Sequence, residues 1–395
     1  MKKKKIAFFV KDIFTLGGVQ RVTTVIANAL SLDYCIDIIC FNSNGIIDRD
    51  IYGLNENIKI KFINNFYKKN IIEKIYSKII RIINEKNNIL STSETFCEFI
   101  KEAYYWKSMR KLLINIINEN KYDYIIGVEG ELSIALATIK DNIDSYIIGW
   151  QHNSYEAYFE TKNKYYWNQK NIFNKYMKKL DKYIVLTDDD KYKIKENFNI
   201  DSIRIYNPLS FRSDVKANVL NKNIISVGRL EKHQKGFDLL IESFVKIAKK
   251  NKDWTLSIVG SGNDKDEIQK IIDGSGFKDR IKIESFTSNM KERYLKSSIF
   301  VSASRWEGFG LVITEAMECG LAVISFDNTG PREIIKENMK YGILVEKYNV
   351  EIMAENIELL MNDIELRKNI IINSEERVEN FSINKILDIW KGILS

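Results

Sequence analysis

The sequence predicts an α/β protein built from two Rossmann-like domains with parallel sheets, and three observations carry that prediction. Short apolar runs alternate with longer stretches of helical spacing, the rhythm of β–α–β units. The rhythm runs twice, on either side of Asn207-Pro208, which holds one of the chain's two prolines. The length of 395 residues also exceeds what one core usually holds, since domains of about 100–200 residues are the norm.

In chain order, Ile6–Val10 reads as the first buried strand. Behind its lysines it imitates a signal peptide, but Lys11-Asp12 breaks the apolar run too early for a signal core. A loop with Gly17-Gly18 leads to a helix over Val19–Leu30, with Val22, Val25, Ile26 and Ala29 on one face. This is a phosphate-type turn in outline, without the third glycine of a dinucleotide fingerprint. Asp37–Phe41 and Ile58–Ile63 read as the next strands.

Between Phe66 and Asn88 the pattern turns basic and amphipathic: Lys68, Lys69, Lys74, Lys78, Arg81 and Lys86 interleave with Ile72, Ile75, Ile79, Ile82 and Ile83. Such an isoleucine stripe either packs on its own domain, the commoner case, or lies on a membrane surface. A helical stretch over Tyr104–Asn118 precedes the strands Tyr122–Val128 and Ser145–Trp150. The second strand delivers Gln151-His152-Asn153 at its carboxyl end, the edge where open parallel sheets bind ligands. After the strand Tyr183–Leu186 comes Thr187-Asp188-Asp189-Asp190. It has the outline of an Asp-x-Asp metal motif, but Thr187 as a helix N-cap with acids in the first turn explains it more simply. Ile203–Tyr206 closes the first half, and the polar segment Ser210–Lys222 reads as a linker.

Ile224–Val227 restarts a sheet and leads to Gly228-Arg229-Leu230, Lys235-Gly236 and a helix over Phe237–Lys249. Trp254–Val259 runs into Gly260-Ser261-Gly262, where a dinucleotide fingerprint would want glycine at the position of Lys265. Ile281–Ile283 and Ile299–Val301 are further strands, and the second opens Ser302–Glu333, the stretch densest in candidate chemistry. In it Glu307-Gly308-Phe309-Gly310 turns into a helix over Leu311–Cys319, whose N-terminal N–H groups offer an anion seat. Glu307 in the loop and Glu315 in the helix form a carboxylate pair suited to sugar or ribose hydroxyls. Leu321–Phe326 is a strand closing on Asn328-Thr329-Gly330-Pro331, and Ile383–Leu394 is a last apolar-periodic helix with Trp390.

Composition narrows the class. With 45% hydrophobic and 29% charged residues the chain is expected to fold rather than stay disordered. Cys35, Cys40, Cys97 and Cys319 show neither metal-ligand nor disulfide spacing, and His152 and His233 are too few for a His-rich metal site. No run reaches the roughly 18 apolar residues of a membrane span, so the expected location is the cytoplasm or, at most, the inner membrane face. The net charge of +7 lies entirely in residues 1–200, with 31 Lys and Arg against 24 Asp and Glu; the remainder balances at 29 and 29. A basic half suits an anionic membrane surface or an anionic acceptor. Nucleic acid ranks last, because no nucleic-acid motif accompanies the charge.

Five ordered pieces carry a family resemblance: LGGVQRV (16–22), VGRLEKHQKGFDLLIESF (227–244), LSIVGSG (256–262), SRWEGFGLVITEAMECG (304–320) and GPREII (330–335). Together they resemble retaining glycosyltransferase family 4, with Glu307 and Glu315 as its Glu-x7-Glu. The resemblance implies the GT-B architecture, two Rossmann-like domains facing across a cleft: 1–206 for the acceptor, 207–378 for a nucleotide-sugar, and a helix in 379–395 packing back toward the first domain. It implies a UDP-sugar donor, although GDP- and ADP-sugar users exist. The acceptor would be a lipid-linked or polymer glycan of the cell surface, and transfer would need no metal or other cofactor.

Residue by residue, the resemblance puts Arg229 and Lys235 on the donor diphosphate, Glu307 near the transferred sugar and Glu315 on the ribose. Phe309, Gly310 and Leu311 would run beside sugar and phosphates, with Gly260 also in the donor site. Gly17 and Gly18 would face the phosphates, and His152 would approach the sugar from the first domain. Two features depart from the family: Val19-Gln20 stands where relatives often carry Ala-Glu, and residues 66–118 match no motif. Two other readings remain: a sugar-nucleotide epimerase of the same fold, which would need no acceptor, and a non-catalytic nucleotide-sugar-binding subunit.

Overall fold

Apolar runs buried on both faces become the strands of two parallel sheets, because parallel strands are covered on each side by their connecting helices. The computed structural model describes residues 3–43, 45–88, 90–287 and 289–395. One unit runs to Pro208 and takes back Ile386–Ser395; the other is Leu209–Lys385.

The first unit holds seven strands: β1 (Lys5–Val10), β2 (Cys35–Cys40), β3 (Lys59–Phe62), β4 (Tyr124–Val128), β5 (Tyr146–Trp150), β6 (Lys182–Val185) and β7 (Ile203–Arg204). They are ordered β3-β2-β1-β4-β5-β6-β7, every pair parallel. Ile6, Ala7, Phe8 and Phe9 of β1 are fully buried, as a central strand requires. The second unit repeats the plan with β8 (Asn223–Val227), β9 (Thr255–Val259), β10 (Ile281–Glu284), β11 (Ile299–Ser302), β12 (Ala322–Phe326) and β13 (Ile343–Val345). Its order is β10-β9-β8-β11-β12-β13, again parallel throughout. Each sheet reverses direction of growth once, at β1/β4 and at β8/β11. Loops at the carboxyl edge part at such a switch point and leave room for a ligand.

The last helix, Ile383–Ile393, finishes inside the first unit. Trp390 is fully buried with its ring centroid 5.0 Å from that of Trp150. Tyr124 Oη donates to the Leu394 carbonyl at 2.8 Å, and Lys391 Nζ lies 2.6 Å from Asp33.

Several sequence expectations need correction. The helix expected over Tyr104–Asn118 is Lys107–Asn120; Tyr104 instead ends a separate helix, Cys97–Tyr104, and Tyr105 and Trp106 turn into the core between the two. The Asp188–Asp190 run, by contrast, is the capped helix start that the sequence suggests. Thr187 accepts from the Asp190 N–H, and the three carboxylates go to different partners: Asp188 to Arg204, Asp189 to Lys193, Asp190 to the Tyr155 N–H. Burial pushes the Asp190 carboxyl up to about 7.

Ser210–Lys222 is not a loose linker but a strap laid along the second unit. Arg212 forks onto Glu379 at 2.6 and 2.7 Å, the Ser213 N–H donates to Glu318, and the Ala217 N–H donates to the Cys319 carbonyl. The isoleucine helix, Ile71–Asn87, does not pack its stripe on its own domain. Its polar residues Ser77 and Asn84 point inward and are buried, while Ile71, Ile72, Ile75, Ile79, Ile82 and Ile83 are 44–80% exposed.

Candidate active site

In the second unit the loops after β8 and β11 meet at the switch point, and three separate devices bind them together. Gly236 is the first. It ends the short helix Lys232–Lys235 with φ of 64°, and a Cβ there would lie 1.9 Å from the Ala303 carbonyl oxygen. Arg305 is the second: its guanidinium forks onto Asp238 at 3.0 and 2.8 Å and also donates to the Lys232 carbonyl. Burial alone would raise the Asp238 pKa, but Arg305 outweighs it and holds the carboxyl below its usual range.

The third device is the pair itself, Lys235 Nζ to Glu307 Oε2 at 2.6 Å, with side chains only 15% and 14% exposed. The Lys235 stem passes close over Gly228, where an added Cβ would approach its Cδ to 3.2 Å. An ammonium has three donors, so Lys235 can hold Glu307 and still reach an incoming anion. Ser304 and Asn328 brace the loop: the Asn328 amide donates to the Ser304 carbonyl at 2.6 Å, and both residues are buried. Arg229 stands outside this knot, 62% exposed and paired with Glu231 at 3.1 Å.

Glu315 does not face solvent. It is 1% exposed, and its two oxygens accept from Ser210 Oγ at 2.6 Å and Tyr294 Oη at 2.9 Å. Gly310, with φ of 104°, starts the helix Leu311–Glu318, and Leu311 is its first residue. The Phe309 ring turns inward, 5.8 Å from Phe381, so this residue can offer a ligand only its backbone. Gly330 lets the next helix approach that backbone, since a Cβ on it would lie 2.3 Å from the Phe309 carbonyl. Gly260 packs in the same manner on the Gly228 carbonyl, at 1.9 Å for an added Cβ. It therefore fits the β9 loop onto the β8 loop.

The remaining expected residues lie in the first unit. The Gly17 N–H donates to Tyr52 Oη at 2.8 Å, and Gly18 is the first residue of the helix Gly18–Leu30. Gln20, the departure from the family's usual loop, donates to the Asp12 carbonyl at 3.2 Å. His152 follows β5 with its ring centroid 4.3 Å from that of Trp150, and its Nε2 is buried without a hydrogen-bond partner. Burial pushes its pKa down to about 3, so the imidazole is neutral at ordinary pH.

Because an unfolded histidine takes a proton near pH 6.5, this site's contribution to stability is full above that value and is lost as pH falls toward 3. Replacing His152 with Asn is expected to flatten the acid side of a melting-temperature profile. The wild type should lose about 2 kcal/mol more than the variant between pH 7 and 4.5, measured by calorimetry.

At the switch point of the first sheet a cavity of about 750 Å³ opens, lined by Lys11, Arg81, Glu131, Tyr105, Tyr166 and Gln169 among others. Sequence reading missed it. Lys11 follows a strand, where ligands are expected, but Arg81 and the tyrosines come from stretches without a motif. Arg305 and Asp238 were missed as well, although both lie inside recognised pieces. Among the described residues no helix is long and apolar enough to cross a membrane.

Comparison with known proteins fits this geometry. A family model described as glycosyl transferases group 1 matches residues 210–377. An uncharacterised glycosyltransferase of Haemophilus influenzae is 30% identical over 397 residues, covering 99% of this chain and all of the relative. A poly(ribitol-phosphate) α-N-acetylglucosaminyltransferase of Staphylococcus aureus is 26% identical over 82% of this chain and 65% of its own length. Among solved structures, S. aureus TarM with fondaparinux, α-GlcNAc-glycerol and UDP superposes with a TM-score of 0.77 at 18% identity, covering 99% of both chains. Anabaena HepE with UDP and glucose gives 0.75 at 16% identity, again covering 99% of both. These neighbours share the GT-B fold. With that fold, the family match and a full-length relative, the chain belongs to the group 1 glycosyltransferases.

Proposed function

We propose that the protein is a retaining, metal-independent hexosyl- or N-acetylhexosaminyltransferase. It moves a sugar from a UDP-sugar to a lipid-linked or polymer glycan in cell-surface polysaccharide biosynthesis, at the cytoplasmic face of the membrane. The observation that carries the reading is the Lys235–Glu307 pair at the β8/β11 switch point. Breaking a glycosyl phosphate bond puts positive charge on the sugar and negative charge on the departing diphosphate. A preorganised cation and carboxylate side by side suit that separation of charge. Lys235 and the forked Arg229 take the diphosphate, the one as a point charge and the other as a bidentate donor. Glu307 then positions sugar hydroxyls. In the retaining course the acceptor hydroxyl attacks from the face the diphosphate leaves and gives its proton to a phosphate oxygen.

Glu315, oriented by Ser210 and Tyr294, is assigned to the ribose hydroxyls, which a carboxylate takes as a hydrogen-bond acceptor. Tyr294→Phe is therefore expected to weaken UDP binding about three- to tenfold by titration calorimetry. Glu315→Gln is expected to weaken it more. UDP is present in both solved neighbours named above. The cavity at the β1/β4 switch point, with cations, amides and tyrosine rings, is assigned to the acceptor glycan.

The deciding experiment is a melting-temperature screen with UDP-, GDP- and ADP-sugars in EDTA, followed by transfer to glycan-lipid acceptors and determination of the anomeric linkage. UDP-sugars alone should stabilise the fold, and the donor's anomeric configuration should survive in the product. An inverted linkage, or transfer abolished by EDTA, would remove the retaining or metal-independent part respectively. Conversion of the donor sugar without acceptor would point to an epimerase.

A further inference from the structure

The helix Ile71–Asn87 is built inside out, and its inward contacts fix it that way. Asn70 and Glu73 form a reciprocal capping box, and Glu73 also takes the N–H and hydroxyl of Ser108. Buried Asn84 donates to the Asn168 carbonyl at 2.7 Å. Arg81 donates to the Ala103 carbonyl and lies 4.4 Å from the centre of the Tyr104 ring. These polar contacts, with Tyr76 and Ile80 packed partly on the core, hold the helix by one side and leave six of its seven isoleucines outward. Tyr76, at the edge of that face, donates to the Phe99 carbonyl, and Phe99 is itself exposed beside it. An apolar face this continuous marks an interaction surface, since burial within the chain would have been the stabilising choice.

Charge identifies the occupant. Lys68, Lys74, Lys78 and Lys86 are all exposed along this segment against one exposed acid, Glu85, while Glu73 is engaged in the cap. A second copy of the chain docking through a two-fold contact would bring the same lysines against each other. A surface of anionic lipid would instead neutralise them while the isoleucines enter the boundary between headgroups and acyl chains.

We propose that the helix Ile71–Asn87 lies flat on an anionic bilayer, isoleucines inserted and lysines at the level of the lipid phosphates. Ile82 and Lys86 of this helix also line the cavity at the β1/β4 switch point. A glycan carried on a lipid can then reach the cavity while its chains stay in the bilayer. That last step rests on the acceptor reading given above; the docking itself does not.

The test uses the full chain in flotation with vesicles of phosphatidylglycerol and phosphatidylethanolamine, against vesicles of phosphatidylcholine. Wild type should float with the anionic vesicles. The triple variant Ile72→Gln, Ile75→Gln, Ile79→Gln, altered only at exposed positions, should bind them at least about tenfold more weakly while keeping its melting temperature. Lys74→Glu with Lys78→Glu should lose about tenfold or more on anionic vesicles alone, and added salt should mimic it.

Equal flotation of the triple variant and wild type would overturn the proposal, and so would wild type that ignores anionic vesicles. A wild-type oligomer dissociated by the triple variant, with no vesicle binding by either, would give the face to a second copy. Donor stabilisation is measured without vesicles. Its failure with docking intact would therefore count against the transferase reading and not against this one.

Discussion

Lys235→Ala is expected to lower sugar transfer about a hundred- to a thousandfold, the usual loss when one preorganised charge-stabilising group is removed. Negative charge on the diphosphate grows toward the transition state, so kcat should fall more than the affinity for donor. The loss should not come from unfolding. The Lys235 ammonium bonds Glu307 alone among the described residues, at 2.6 Å, so the melting temperature should change by only a few degrees. Lys235→Arg is not expected to restore full activity, because the stem is threaded over Gly228 and a planar fork needs more room. Steady-state kinetics with donor and acceptor both varied decides the matter. A Lys235→Ala rate within about threefold of wild type would set aside the charge-clamp role, the effect being far below that expected for such a group.

Gly236→Ala is expected to be the most damaging single methyl group in the second unit. An alanine at φ of 64° is strained, and its Cβ would sit 1.9 Å from a backbone carbonyl that cannot move without taking the Glu307 loop with it. Backbone strain and overpacking together come to about 3–5 kcal/mol, which lowers the melting temperature on the order of 10 °C. The control is Gly274→Ala, where nothing lies within 4 Å of the added Cβ and φ is not positive. That change should leave the melting temperature within about 2 °C. Calorimetry of the two variants side by side separates this local account from a general sensitivity to replacing glycine.

The strands were legible because both faces of each central strand are buried, which forces continuous apolar runs that no other element shows as briefly. Glu307 was legible as a candidate because it adjoins a glycine turn soon after such a run, whereas Lys235 was marked out by the family resemblance alone. The direction of the isoleucine stripe was not legible. Helical periodicity is the same whether the stripe faces the core or the solvent, and only the partners of Asn84 and Arg81 decide it. Ser210–Lys222 read as linker for a related reason. Its serines and arginine look like solvated residues until Glu315, Glu318 and Glu379, all far along the chain, are brought against them. Phe309 shows the limit of carrying a role over from a motif, since its ring belongs to the core beside Phe381 while only its backbone borders the site.

The return of the chain's end to its first unit bears on how the protein is made. Domains ordinarily fold as they leave the ribosome, first half first. Here Trp390, which covers Trp150, is synthesised only after the whole of Leu209–Lys385. At roughly 5–20 residues per second the nascent first unit waits on the order of ten seconds or more with that aromatic surface open. Loss of the last residues, by a stop codon or by proteolysis, would therefore injure the half of the protein that was translated earliest.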